Sequence, residues 1–113
     1  MVTGGWITQD DRTRWQRLAA AELASILEDC AGLPCIAWTV HPAGPVLAGR
    51  VNGLAPAAQV RETFSAWQAV LALGGHRERR LGGGTTWLHA AASRHQVRVR
   101  LTATVFDGGE DGR

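Results

Sequence analysis

The chain has 113 residues with a hydrophobic fraction of 45%, which fits one folded domain and excludes global disorder. No apolar stretch approaches the roughly 20 residues of a membrane-spanning helix, and the N-terminus lacks the basic and apolar regions of a secretion signal. We therefore expect a cytoplasmic protein without membrane contact. The formal charge of +2 hides an asymmetry. Positions 75–106 hold six arginines and one acid, a net charge of +5, whereas positions 107–113 hold three acids and one arginine, a net charge of −2.

A long helix is the first element in chain order. Positions 1–8 are predicted to form a flexible arm, and Thr8 with Asp11 three residues later has the spacing of a capping box. The helix is predicted over 9–30, because the apolar residues fall on one stripe at helical spacing. That stripe comprises Trp15, Leu18, Ala19, Leu23, Ile26, Leu27 and Cys30.

Two strands and a second helix follow. Positions 35–41 and 46–51 are predicted as a hairpin, joined by a turn that contains two prolines and a glycine. The second helix begins near Pro56, since proline suits the first helical turn, and it ends at Gly74-Gly75. Its apolar stripe comprises Val60, Phe64, Trp67, Val70 and Leu71.

The C-terminal third contains the most distinct strand of the chain. Positions 76–84 are basic and then glycine-rich, and they are predicted as a flexible loop. A strand over 85–90 and a turn over 91–96 lead into the terminal strand, 97–106. This strand alternates apolar and polar residues for ten positions, the period of a strand with one buried face. The acidic tail, 107–113, is predicted to be mobile.

The predicted fold class is α+β, with a single domain over 9–106. The order αββαββ favours a two-layer structure in which both helices pack on one face of a four-stranded antiparallel sheet. An αββ pseudo-repeat is an open alternative, because Trp38-Thr39-Val40-His41 is echoed by Trp87-Leu88-His89. The second face of the sheet would have no cover. The residues expected there are Arg50, Arg98, Arg100, Thr102 and Thr104, beside Cys35, Ala37, Val46, Ala48 and Phe106.

No residue pattern identifies a catalytic, metal or cofactor site. The glycines of 74–85 lie between a helix and a strand and lack the lysine of a P-loop, which connects a strand to a helix. Residues of a suitable chemical type, but without a supporting motif, are His41, His89, Ser93, His95 and Asp107. We expect no catalytic residues, no metal and no cofactor, and we favour a protein that is not an enzyme.

The chain has two cysteines, Cys30 and Cys35. Their spacing has no second pair that would complete a zinc site. In a cytoplasmic protein we expect two buried, reduced thiols rather than a disulfide.

The segment Ala20-Ala21-Glu22-Leu23-Ala24, followed by Leu33-Pro34 and Trp38-Thr39-Val40, precedes a hairpin and a second αββ unit. In this order the chain resembles small uncharacterised proteins of actinobacteria and their mobile elements, over about positions 15–106. This resemblance implies a cytoplasmic bacterial setting. The family has no agreed activity, so the resemblance carries over no functional residues.

Two hypotheses about function remain. The first is a protein-interaction or self-association module, which would form a homodimer through the open sheet face or an edge strand. The alternative is a small nucleic-acid-binding protein that uses an arginine-rich sheet face and the 76–84 loop, with Trp87 as a further stacking aromatic. A third interpretation is that the arginine-rich surface is merely solvated and binds no ligand. The candidate binding surface comprises Arg50, Arg77, Arg79, Arg80, Arg98, Arg100 and Phe106.

Overall fold

A computed structural model describes residues 7–106 of the chain. These residues form two helices and five strands, which are α1 (Gln9–Asp29), β1 (Ala37–Val40), β2 (Val46–Val51), α2 (Ala57–Leu71), β3 (Gly74–Gly82), β4 (Thr85–Arg94) and β5 (Val97–Phe106). The α+β class is confirmed, and the predicted order αββαββ is corrected to αββαβββ. The tail predicted over 107–113 and the first six residues of the predicted arm lie outside the described residues.

The five strands form one mixed sheet in the order β1-β2-β5-β4-β3. β2 and β5 are parallel, and the other three pairs of neighbours are antiparallel. The prediction of four antiparallel strands is therefore wrong in both number and direction. The chain between β2 and β5 contains α2 and the β3–β4 hairpin, so it is long enough for the crossover that a parallel pair requires.

The basic segment predicted as a loop is mostly the edge strand β3. Arg77 lies opposite His89 and Arg79 lies opposite Trp87 in an antiparallel ladder with β4. All nine residues of β3 are exposed, so the strand makes no contribution to the buried core and is held by its backbone ladder with β4 and by surface contacts with α2. Because no residue of β3 is buried, the segment has no apolar alternation from which a strand could be predicted.

The strand β4 is longer than predicted and runs directly into a tight turn. Where a turn over 91–96 was expected, only His95 and Gln96 have positive φ angles, of 50° and 72°. Two consecutive residues with positive φ are typical of a two-residue hairpin loop. β4 and β5 therefore pair along their full length, from Arg94 and Val97 to Thr85 and Phe106.

The start of α1 confirms the predicted capping box. Thr8 Oγ1 accepts a hydrogen bond from the Asp11 N–H, and Asp11 Oδ2 accepts one from the Thr8 N–H, both at 3.1 Å. The hydrogen bond from the Thr8 N–H lowers the pKa of the Asp11 carboxyl most of all, and the Thr8 side chain and the Arg14 guanidinium lower it further. The apolar stripe of α1 is confirmed in part, since Leu27 is 51% exposed and Glu22 occupies a buried position.

Both helices pack on one face of the sheet. α1 contacts β1, β2 and β5, and α2 contacts β2 and β5. On the second helix Trp67 Nε1 donates a hydrogen bond of 2.8 Å to the Pro34 carbonyl, and its ring meets Trp38 edge to face. No helix within residues 7–106 is long and apolar enough to cross a lipid bilayer. The largest fully buried side chains are Trp67, Phe64, Ile26, Leu47, Leu71, Leu88, Leu101, Val60, Val97, Val99 and Val105.

Candidate binding surface

The face of the sheet opposite the helices carries a group of aligned cationic side chains. Along β5 every second residue is buried beneath the helices, so the intervening side chains project to the other side. The strand registers extend this side across β2, β4 and β3. We define the open face by Arg50, Arg77, Arg79, Trp87, His89, Arg98, Arg100, Thr102, Thr104 and Phe106.

Cross-strand pairs form rows on the open face. One row runs from Arg77 through His89 and Thr102 to Arg50, across four strands. A neighbouring row runs from Arg79 through Trp87 to Thr104, and Arg98 and Arg100 lie beyond the first row along β5. Since strands are about 4.8 Å apart and alternate residues about 6.8 Å apart, the five arginines lie within one patch of roughly 20 by 25 Å.

No carboxylate of residues 7–106 lies on this face. Six of the seven acids in that range belong to α1 or α2. The seventh, Glu78, lies opposite the buried Leu88 and therefore on the helix side of β3, where Arg61 Nη1 donates to both of its oxygens at 3.4 Å. Within the described residues no arginine of the open face has a carboxylate partner, so the positive charge of this face is not neutralised there.

Aromatic rings lie among the arginines. Trp87 and His89 stack with ring centroids 5.2 Å apart and an angle of 20° between the planes. The guanidinium of Arg79 lies 5.7 Å from the centroid of the Trp87 ring, a distance suited to a cation–π contact. At the C-terminal end of β5, Phe106 is 53% exposed. The open face thus combines cations with flat apolar surfaces.

The surroundings of His89 favour its neutral form. Partial burial lowers the pKa of this imidazole, and the guanidinium groups of Arg77, Arg100 and Arg98 lower the pKa further. Three cations on β3 and β5, the two strands on either side of β4, therefore act on one titratable ring. An anion bound between them would reverse the repulsion.

Six of the seven residues predicted for the binding surface lie on the open face. Arg80 is the exception, because its partner on β4 is the buried Thr86, which faces the helix side. Arg77 and Arg79 reach the face because they belong to a strand rather than to the predicted loop. His89 and the Arg79–Trp87 contact were not predicted as parts of this surface. Alternation along 85–90 nevertheless indicates that Trp87 and His89 project to one face of the strand and Leu88 to the other.

The structure does not bring the other candidate catalytic or metal-binding residues together. His95 Nδ1 lies 2.6 Å from Glu22 Oε1 on the helix side, whereas His89 and Ser93 belong to the opposite side of β4. His41 Nδ1 accepts the Ala43 N–H at 3.2 Å. Within residues 7–106 no three His, Cys, Asp or Glu side chains are placed to share a metal ion, and Asp107 lies outside this range.

Both cysteines are free thiols, but only one is buried. Cys30 packs at the end of α1, and burial raises the pKa of its thiol, with a further contribution from Asp29. Cys35 is exposed, so the prediction of two buried thiols is wrong for this residue. It precedes β1 by two positions.

A groove of about 520 Å³ opens at the Phe106 end of the open face. One wall is the turn after β2, where Asn52 Oδ1 accepts the Leu54 N–H at 2.9 Å. Gly53 packs so closely on β5 that a Cβ atom would lie 2.8 Å from the Thr104 carbonyl oxygen. The groove is lined by Cys35, Ile36, Ala37, Arg50, Val51, Asn52, Gly53, Leu54, Thr104 and Phe106.

The groove is a second feature that the sequence did not predict, because its residues come from three separate segments that meet only in the folded sheet. It is continuous with the open face through Arg50 and Phe106, which belong to both. Comparisons of the chain with protein families, with curated proteins and with solved structures find no match.

Proposed function

We propose that this protein is a non-enzymatic, cytoplasmic binder of single-stranded nucleic acid, which it holds on the open face. The observation that carries the proposal is the concentration of five arginines on one sheet face that has no carboxylate among residues 7–106. Arginine offers several N–H donors to phosphate oxygens and remains charged at every physiological pH. A regular array of such groups suits a ligand with regularly spaced phosphates.

The aromatic rings support a single strand rather than a duplex. Unpaired bases can stack on exposed rings, and such stacking contributes to binding without a strict sequence requirement. In a duplex the base faces are already stacked on one another, and only phosphates and groove edges remain to be contacted. Trp87 with His89 on β4, and Phe106 on β5 two positions beyond Thr104, the direct partner of Trp87, provide two stacking positions on the open face.

Self-association through the same face or through an edge strand is the alternative proposal, and the charges support it less well. Two open faces in contact would oppose five arginines with five arginines. Pairing of β3 with a second β3 about a two-fold axis centred on any of 77–80 would place a charged side chain opposite its own copy, which is unfavourable. An acidic protein partner would satisfy the arginines but would leave the ring surfaces without a specific role.

The test is a titration of a fluorescently labelled single-stranded oligonucleotide of about 12 nucleotides, followed by anisotropy at several salt concentrations. If each of five arginines neutralises one phosphate, the slope of log K against log salt is about −3.5. Affinity then falls about 100-fold between 50 and 200 mM salt. A duplex of the same sequence is expected to compete less well than the single strand.

A double variant, Arg98→Gln/Arg100→Gln, identifies the surface. With two phosphate contacts removed, the slope falls to about −2.1 and affinity at low salt drops at least about tenfold. The matched control is Arg12→Gln/Arg17→Gln, which removes the same charge from exposed positions on α1 and is expected to leave the slope unchanged. Absence of binding at low salt, or equal losses in both double variants, would contradict the proposal.

A further inference from the structure

Resting on the proposed function, we infer that the groove beside Phe106 is a nucleotide subsite. It takes one base of the bound strand against the Phe106 ring, while Arg50 holds an adjacent phosphate. The groove is lined by residues of β5 and of the chain around β1 and β2, whereas Trp87 and His89 belong to β4, so it marks the end of a binding path that crosses the strands from β4 over β5. The nucleotide in the groove differs from the other nucleotides of the bound nucleic acid, because its base enters a recess and theirs lie on the flat face of the sheet.

The lining of the groove fits a base and a phosphate together. Most of the lining is apolar, and the two most prominent side chains, Phe106 and Leu54, are 53% and 89% exposed. Arg50 is the one charged residue that lines it. A volume of about 520 Å³ is within the range of small-molecule sites, which combine apolar walls with a few placed polar groups.

Asn52 and Thr104 add uncharged polar groups to the lining of the groove. Because Asn52 Oδ1 is already used by the Leu54 N–H, the amide nitrogen of Asn52 is the end that can donate to a base. The Thr104 hydroxyl lies between Arg50 and Phe106 along the same face. A base edge can therefore meet a donor on one side and a hydroxyl on the other, while its face lies on carbon.

Gly53 keeps the groove narrow. Its backbone lies against the Thr104 carbonyl, and a Cβ atom there would also meet the Phe106 ring at 3.5 Å. A side chain at position 53 would therefore occupy the space between the turn and the ring, and glycine leaves that space open. The recess between them has a fixed wall, which favours a flat ring as its occupant.

The experiment separates base binding from phosphate binding. Wild-type protein and Phe106→Ala are titrated with an oligothymidylate and with an abasic oligomer that has the same sugar-phosphate backbone and charge. Loss of one stacked base is expected to reduce the affinity of Phe106→Ala for oligothymidylate about tenfold, with no change for the abasic oligomer. Val70→Ala is the matched control, because Val70 is also 53% exposed but lies on α2.

Photocrosslinking gives a second measurement that does not depend on the variant folding correctly. An oligonucleotide carrying 5-iodouracil is irradiated with wild-type protein, and the crosslinked residue is identified by mass spectrometry. A crosslink at Phe106 supports the subsite. If the strand binds but Phe106→Ala keeps full affinity and the crosslinks map to Trp87 alone, the subsite is overturned and the proposed function stands. If neither oligomer binds wild-type protein at low salt, both proposals fail.

Discussion

Glu22 Oε1 lies 2.6 Å from His95 Nδ1, although the two residues are 73 positions apart in the chain. The other oxygen of the same carboxylate accepts a hydrogen bond of 3.1 Å from Arg94 Nε, and Arg94 Nη1 donates to the Leu71 carbonyl at 3.3 Å. One buried acid of α1 thereby connects the β4–β5 turn and the end of α2. The connection holds the helix layer to the hairpin whose outer side is the open face.

Replacement of Glu22 is expected to destabilise the fold. Its side chain is only 3% exposed, whereas those of Arg94 and His95 are 27% and 77% exposed, so its removal breaks two charge-assisted hydrogen bonds but leaves no fully buried charge behind. We expect Glu22→Ala to lower the free energy of unfolding by about 1–3 kcal/mol and Glu22→Gln, which keeps one acceptor, to lower it less. Urea unfolding followed by tryptophan fluorescence measures both. Glu28→Ala, at an exposed position of α1, is the control; similar losses at positions 22 and 28 would contradict this role.

The sequence predicts some parts of this fold well, and the reasons are physical. The terminal strand and both helices have apolar residues at a regular spacing over many positions, and this spacing can be read from one sequence alone. β3 has no such period, because both of its sides are exposed and it is held by a ladder with β4 and by surface contacts with α2. The parallel pairing of β2 with β5 and the buried position of Glu22 depend on partners about 50 and 70 residues away, which a local pattern does not show.

Gly49 is expected to be intolerant of any side chain. A Cβ atom there would lie 2.9 Å from Trp38 Cζ3 and 3.1 Å from Ile36 Cδ1, so the Trp38 ring would have to move away from Trp67. We expect Gly49→Ala to cost about 1–3 kcal/mol of stability through overpacking. Its urea midpoint, and a shift in tryptophan emission, measure the effect.

The matched control for this substitution is Gly32→Ala. No atom lies within 4 Å of the Cβ position at Gly32, and alanine restricts the unfolded chain more than glycine does. We therefore expect Gly32→Ala to be neutral or to stabilise the protein by up to about 1 kcal/mol. Equal losses for the two alanine variants would contradict the packing argument.

The oligomeric state follows from the charge distribution. Repulsion disfavours contact between open faces and between β3 strands related by a two-fold axis, and the other edge strand, β1, offers only four residues for pairing, so we expect a monomer at neutral pH and moderate salt. Light scattering over a range of concentrations measures the mass. A dimer that forms only at high salt would agree with repulsion that salt screens, whereas a stable dimer at low salt would contradict the argument and favour self-association.

The composition of the open face could be predicted only where a strand was recognised. Arg98 and Arg100 follow from the alternation of β5, and Arg50 follows from the predicted hairpin. Arg77 and Arg79 join them because β3 pairs with β4, so their contribution depends on an element without an apolar signal. The absence of carboxylates from the face within residues 7–106 is likewise a property of the register, since Glu78 lies between two open-face arginines in sequence and projects to the other side.

His89 gives the open face a pH dependence whose sign can be derived. Its pKa in the folded protein is lowered by burial and then by Arg77, Arg100 and Arg98, so the unfolded chain binds the proton more tightly. The stability that His89 contributes is therefore complete above the unfolded pKa of about 6.5 and is lost as the pH falls through the folded value. We expect His89→Gln to weaken the fall in stability below about pH 6.5, measured by urea unfolding at several pH values.

The same imidazole reports on an anionic ligand. A phosphate placed among the three arginines would stabilise the protonated ring and raise its pKa, so binding would take up a proton and the affinity of wild-type protein for oligothymidylate would increase as the pH falls from neutrality. An NMR titration of the His89 ring, with and without the oligonucleotide, measures the two pKa values directly. An unchanged His89 pKa in the saturated complex would mean that the strand does not cross the centre of the open face, and the ligand path would have to be sought along the groove end alone.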